Sequence, residues 1–176
     1  MKQYITVEDL KSLSDSQKQT LNSLWLPAKY DRAVASVCKD VEKDIYEDLE
    51  FVVGDIALSH GTSIILRRLR LADEMVKEDH EMPPENDSTA EDEAFDMDFD
   101  DPGDYFMKED CLPLFNIGQL ISFLRNTKAG QNGFSIGIPP VNDRFEQNFT
   151  LDDRFGEVAK SEGLADLLFD MIKTVL

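Results

Sequence analysis

Residues 31–54 read DRAVASVCKDVEKDIYEDLEFVVG, and the fold turns on how they are folded. Val34, Val37, Cys38, Val41, Ile45, Leu49 and Val52 recur at intervals that gather them on one stripe of an α-helix. Lys39, Asp40, Glu42, Lys43, Asp44, Glu47 and Asp48 fall on the remaining surface, where mixed charges are readily solvated. Asp31 can cap such a helix and Gly54 can end it. The spacing therefore predicts a long amphipathic helix over 32–53.

Upstream, two capping boxes follow one another. Thr6-Val-Glu-Asp9 opens a short helix, and Ser14-Asp-Ser-Gln17 opens a second, with Leu21, Leu24 and Trp25 at helical spacing and Pro27 closing it. Trp25 is the single tryptophan, and at a helix end it is expected to anchor the core. Downstream, Asp55 to Gly61 reads as a connector or short strand, with His60 as a turn residue. Ile65, Leu69, Ala72 and Val76 then make a helical stripe, although the run could begin as a strand at Ile64. Arg67, Arg68 and Arg70 form a basic cluster whose simplest role is to neutralise nearby acids; gripping a phosphate is the alternative.

Those acids come next. Between Glu78 and Asp110, 33 positions hold fifteen carboxylates and one basic side chain, Lys108, so most of the formal charge of −18 lies in one segment. A run of like charges with little to bury is by default a solvated loop. It can also offer a partner a dense anionic surface. The nine carboxylates from Glu85 to Asp101 would be spaced about 2.8 Å apart on a helix but about 6 Å apart on an extended chain. B-DNA carries a charge about every 1.7 Å of axis, or 3.4 Å on one strand, so only a compact form would imitate it. Pro83-Pro84 and Pro102-Gly103 punctuate the two ends of such a form. The acids assigned to a partner-binding surface are Glu85, Asp87, Glu91, Asp92, Glu93, Asp96, Asp98, Asp100, Asp101 and Asp104. Asp98 to Glu109 also places acids at positions 1, 3 and 12 and Gly103 at position 6 of a calcium-loop skeleton. Pro102 at position 5 offers no side-chain oxygen, and no metal site is assigned.

Beyond the acidic tract, Asn116 can cap a helix that turns Ile117, Leu120, Ile121 and Leu124 inward. Phe134, Ile136 and Ile138 alternate as a strand should, and 141–155 has room for a second strand. Ser161 can cap a terminal helix lined by Leu164, Leu167, Leu168, Met171, Ile172 and Val175. The expected fold is α+β: a helix-rich single domain with a small antiparallel sheet, its N-terminal part at 1–77, an acidic insertion at 78–110 and its C-terminal part at 111–176.

No apolar run is long enough to cross a bilayer, and MKQYITVEDL lacks the pattern of a signal peptide, so a cytoplasmic protein is expected. Cys38 and Cys111 lie far apart and suit a reducing compartment, each as a buried thiol. With His60 and His80 they lack the close pairing of zinc sites, and no phosphate-cradling, dinucleotide or metalloprotease motif is present. No catalytic residue or cofactor is assigned. The acidity opposes direct nucleic-acid binding, which depends on cations that release phosphate counterions.

Three phrases, ITVEDLKSLSDSQKQTLNSLW, CLPLFNIGQLISFLR and LADLLFDMIKTVL, resemble in this order a family of small uncharacterised proteins of phages and prophages of Gram-positive bacteria. The resemblance implies a mobile-element setting in a bacterial host and carries no site residues. With the charge, it leads to a non-enzymatic interaction protein that binds the basic surface of a host or defence protein, such as a DNA-binding nuclease, as an inhibitor. A structural or regulatory phage protein with a merely solvated acidic loop is the alternative, and an enzyme of unknown chemistry is the third.

Overall fold

Residues 32–59 form two antiparallel strands, β1 (Arg32–Asp40) and β2 (Ile45–Ser59), so the helix expected over 32–53 is not formed. The pairing sets Ala33 opposite Phe51 and Ala35 opposite Leu49. With a side-chain period of two, Ala33, Ala35, Phe51 and Val53 share a face and are buried. The helical stripe fails on burial, since Val41 is 86% and Ile45 47% exposed. The turn between the strands is organised by Asp40, whose Oδ1 accepts from the amides of Glu42 (3.1 Å) and Lys43 (3.2 Å), and by Asp44 in a left-handed conformation, φ 54°. The β-branched valines then suit the pleat better than a helix.

The computed structural model describes residues 2–59, 63–70, 102–127, 130–140, 148–153 and 155–176. Within them β3 (Ser63–Arg68) is a strand where a helix was read from Ile65, the stripe's Ala72 and Val76 lying outside the described residues, and β4 (Tyr105–Met107) and β5 (Cys111–Pro113) come later in the chain. The strand order is β4-β3-β2-β1-β5. β2 is long enough to serve two neighbours in turn: its first part pairs with β1 up to Val52, and from Val53 onward it pairs with β3. The exchange happens at Gly54, where the register shifts and Leu69 donates its amide to the Val52 carbonyl at 2.7 Å. A Cβ at Gly54 would sit 2.9 Å from the Leu69 Cα, so glycine here permits the close approach of two backbones.

A single 3-10 turn, Lys108–Asp110, joins the two edge strands β4 and β5, and the sheet must curl to allow this. Phe51 of β2 and Phe106 of β4 meet across the interior with ring centroids 4.6 Å apart, giving a small, partly closed barrel. The turn is clamped to helix α2 (Asp15–Leu24) by Asn22, whose Nδ2 donates to the carbonyls of Lys108 (2.8 Å) and Cys111 (2.6 Å) while the Lys108 ammonium donates back to the Asn22 carbonyl.

The local helix signals are met more closely. Thr6 and Ser14 cap α1 (Val7–Lys11) and α2 through complete capping boxes, and Asn116 caps α3 (Ile117–Arg125) in the same way. Trp25 is 2% exposed. Asp31 caps no helix; its carboxylate instead accepts from Trp25 Nε1 (3.1 Å), the Ala28 amide (2.9 Å) and Gln119 Nε2 (2.7 Å), tying α2 and α3 to the start of β1. A three-stranded sheet, β6 (Ser135–Gly137), β7 (Phe149–Asp153) and β8 (Gly156–Ser161), fulfils the expectation of a strand near Ile136 and another within 141–155. The last helix, α4 (Leu164–Val175), is capped at Gly163 and not at Ser161, because Ser161 is still in β8; its Oγ accepts the Gly163 amide at 3.3 Å. Leu167, Leu168 and Ile172 of α4 join the same core cluster as Leu120, Leu124 and the barrel interior. Antiparallel sheets with helices make the fold α+β, with two sheets where one small sheet was expected.

Candidate interaction site at the root of the acidic segment

The stretch 71–101, which holds twelve of the fifteen acids between Glu78 and Asp110, leaves and rejoins the barrel at one place. The chain leaves β3 through Arg68, Leu69 and Arg70 and re-enters β4 through the short turn Pro102–Asp104. β3 and β4 are hydrogen-bonded neighbours, with Arg67 opposite Tyr105, so the two roots of 71–101 lie side by side.

Asp104 fastens them. Only 5% exposed, it receives Nε of Arg68 at 3.6 Å and is in closer contact with Nε of Arg70. Removing a carboxylate from water is costly, and two guanidiniums, each with several fixed donors, offset that cost here. Internal neutralisation of the arginine cluster, the simpler of the two roles considered above, thus operates for Arg68 and Arg70. Arg67, next to Arg68 on β3, stands with its Cζ 5.7 Å from the Tyr105 ring centroid.

This corrects one residue of the partner-binding set. Asp104 is buried and ion-paired, and a buried acid held by two arginines cannot meet a partner. Glu85, Asp87, Glu91, Asp92, Glu93, Asp96, Asp98, Asp100 and Asp101 lie outside the described residues, as do His60 and His80. The calcium-loop skeleton is not built as a loop in its second half, because Tyr105–Met107 is a paired strand. Among the described residues no group of three or more His, Cys, Asp and Glu side chains is placed to hold a metal ion, and no helix is long and apolar enough to cross a membrane.

Beside Arg67 and Arg68 opens a cleft of about 250 Å³, also lined by Lys29, Gly54, Asp55, Leu69 and Arg70. Lys29 comes from the loop between α2 and β1, nearly forty positions before the arginines, and no sequence pattern links it to them. No protein-family model matches the chain, and neither a curated protein nor a solved structure does.

The two thiols have different surroundings. Cys38 is exposed, against the expectation of burial, because it falls on the outer face of β1 near the hairpin turn. Cys111 is buried, with its Sγ donating to the Met107 carbonyl at 3.3 Å; burial first, and the charge of Asp110 second, push its thiol up to about 12 from 9.0. The folded state therefore favours the neutral thiol. An unfolded chain would release that proton above pH 9, so this group's contribution to stability is complete below pH 9 and declines as pH rises toward about 12. At pH 8 a thiol reagent should modify Cys38 rapidly in the native protein and Cys111 only on denaturation. Equally fast modification of both would contradict the burial of β5.

Proposed function

We propose that this chain is a non-enzymatic interaction protein, of phage or prophage origin, that presents an acidic segment to the basic, nucleic-acid-binding surface of a host or defence protein and inhibits it. The observation that carries the reading is the concentration of charge: fifteen carboxylates and one lysine in 33 positions, against 21 acids and 17 bases elsewhere. The clasp of Arg68 and Arg70 on Asp104 supports it, because it gives the segment a fixed base. The mobile-element setting rests on the resemblance of the three phrases quoted above.

The test uses bacterial DNA-binding proteins retained on immobilised duplex DNA. The intact protein is expected to elute at least one of them, with an efficiency that falls as salt rises from about 50 to 200 mM. A variant with Asn or Gln at Glu85, Asp87, Glu91, Asp92, Glu93, Asp96, Asp98, Asp100 and Asp101 should need at least about tenfold more protein for the same elution. Equal potency of the two proteins, indifference to salt, or no elution at all would leave the acidic segment as a solvated loop.

A further inference from the structure

In a chain of net charge −18, the described lining of the cleft beside β3 is mainly cationic. Among the described residues Lys29, Arg67, Arg68 and Arg70 line it, with one carboxylate, Asp55. Asp55 is turned to its own strand, with Oδ1 accepting the Ile56 amide at 2.9 Å, and Asp104 is engaged by Arg68 and Arg70. Arg68 and Arg70 are thus committed to Asp104, and the cations of the cleft that come from separate elements are Lys29 and Arg67.

The two cations that come from separate elements are both propped in position. Arg67 stands over the Tyr105 ring. Lys29 belongs to a loop whose backbone is tightly held: the Tyr30 amide donates to the Val53 carbonyl (2.7 Å), the Val53 amide to the Asp31 carbonyl (2.8 Å) and the Asp31 amide to the Ala28 carbonyl (3.1 Å). Tyr30 itself adopts φ 73°, a conformation unfavourable for a bulky side chain, and its ring is 67% exposed. The Lys29 Nζ lies 5.8 Å from that ring's centroid, so an exposed aromatic side chain adjoins one of the cleft's cations.

We infer that this cleft is a binding site for the phosphate groups of a small anion, with Lys29 and Arg67 as its contacting cations. A volume of about 250 Å³ is below the roughly 300–1,000 Å³ of sites for drug-sized ligands and matches a phosphoryl or pyrophosphoryl group. Guanidinium forks recognise such oxygens by paired hydrogen bonds, and a lysine adds a point charge. The phosphate can belong to free pyrophosphate or to a nucleotide whose base stacks on Tyr30. The site is independent of what the acidic segment binds.

The experiment is calorimetric titration with pyrophosphate, with a nucleoside diphosphate and with a Glu-rich peptide. It uses the full chain and the same chain neutralised at the nine acids from Glu85 to Asp101, whose field opposes an incoming anion. Saturable one-to-one binding of pyrophosphate in at least one chain, weakened at least about tenfold by Lys29→Gln with Arg67→Gln at an unchanged melting temperature, is the expected result. Tyr30→Ala should weaken the nucleoside diphosphate alone if a nucleotide is the source, and neither ligand if free pyrophosphate is. No saturable binding in either chain, binding indifferent to the Lys29 and Arg67 substitutions, or a Glu-rich peptide bound as tightly as pyrophosphate would overturn the assignment.

Discussion

Asp104→Asn should lower the free energy of unfolding by about 3–5 kcal/mol, the usual cost of breaking a buried ion pair by deleting one partner. The carboxylate is buried and shared by two arginines, whose side chains are 29% (Arg68) and 16% (Arg70) exposed. An amide fills the same volume but carries no charge, so both guanidiniums lose the carboxylate they share in a poorly solvated place. Against a typical total stability of about 5–15 kcal/mol the loss would be large, and it would show as a lower urea midpoint at an unchanged slope. Asp110→Asn, at an exposed acid six positions on, should stay within about 0.5 kcal/mol. Arg70→Met combined with Asp104→Asn should recover part of the loss, because it removes one of the two guanidiniums that lose the shared carboxylate. If Asp104→Asn proves as mild as Asp110→Asn, the clasp does not hold the roots of the acidic segment.

What the sequence made legible here is what is decided within a few residues. The boxes at Thr6, Ser14 and Asn116 are closed by side chains three positions away, and each helix begins where its box predicts. The hairpin was hidden for two physical reasons. Ala33, Val34 and Ala35 are all buried, so the alternation that marks a strand is absent where β1 begins. The shift of register between Cys38 and Asp40 then interrupts the period of two in β1, and the apolar residues from Val34 to Val52 fall by accident at helical intervals across the hairpin. The turn gave no warning either, since Asp40 to Asp44 contains neither glycine nor the Asn-Gly pair that commonly marks a hairpin. Of the candidate site, the pairing of arginines with acids was readable from charge. Which acid is buried was not, because nothing in the sequence around Asp104 marks it among so many acids; the turn Pro102–Asp104 that ends on it delivers it to the barrel. The cleft is lined by Lys29 and Arg67 from distant parts of the chain, brought to one place by the pairing of β2 with β3.

Phe51→Ala separates the two readings of 32–53 most sharply. In the barrel Phe51 is 5% exposed, paired with Ala33 and stacked on Phe106, so its truncation should cost about 3–5 kcal/mol, while Val41→Ala at a position 86% exposed should cost less than about 0.5 kcal/mol. A helix over the same residues would reverse the order, since Val41 lies on its apolar stripe and Phe51 does not. Part of the Phe51 effect belongs to the ring pair itself: a cycle with Phe106→Leu should return a coupling of about 0.5–1.5 kcal/mol. Phe106 lies two residues after Asp104 on the strand that receives the acidic segment, so a cavity at Phe51 loosens the seat of the clasp as well. Phe51→Ala and Asp104→Asn together should therefore cost less than the sum of their separate effects, because either one already frees β4. Strict additivity would mean that the barrel interior and the root of the acidic segment are held independently, and the fixed base on which the anionic segment is proposed to act would then owe nothing to the core beneath it.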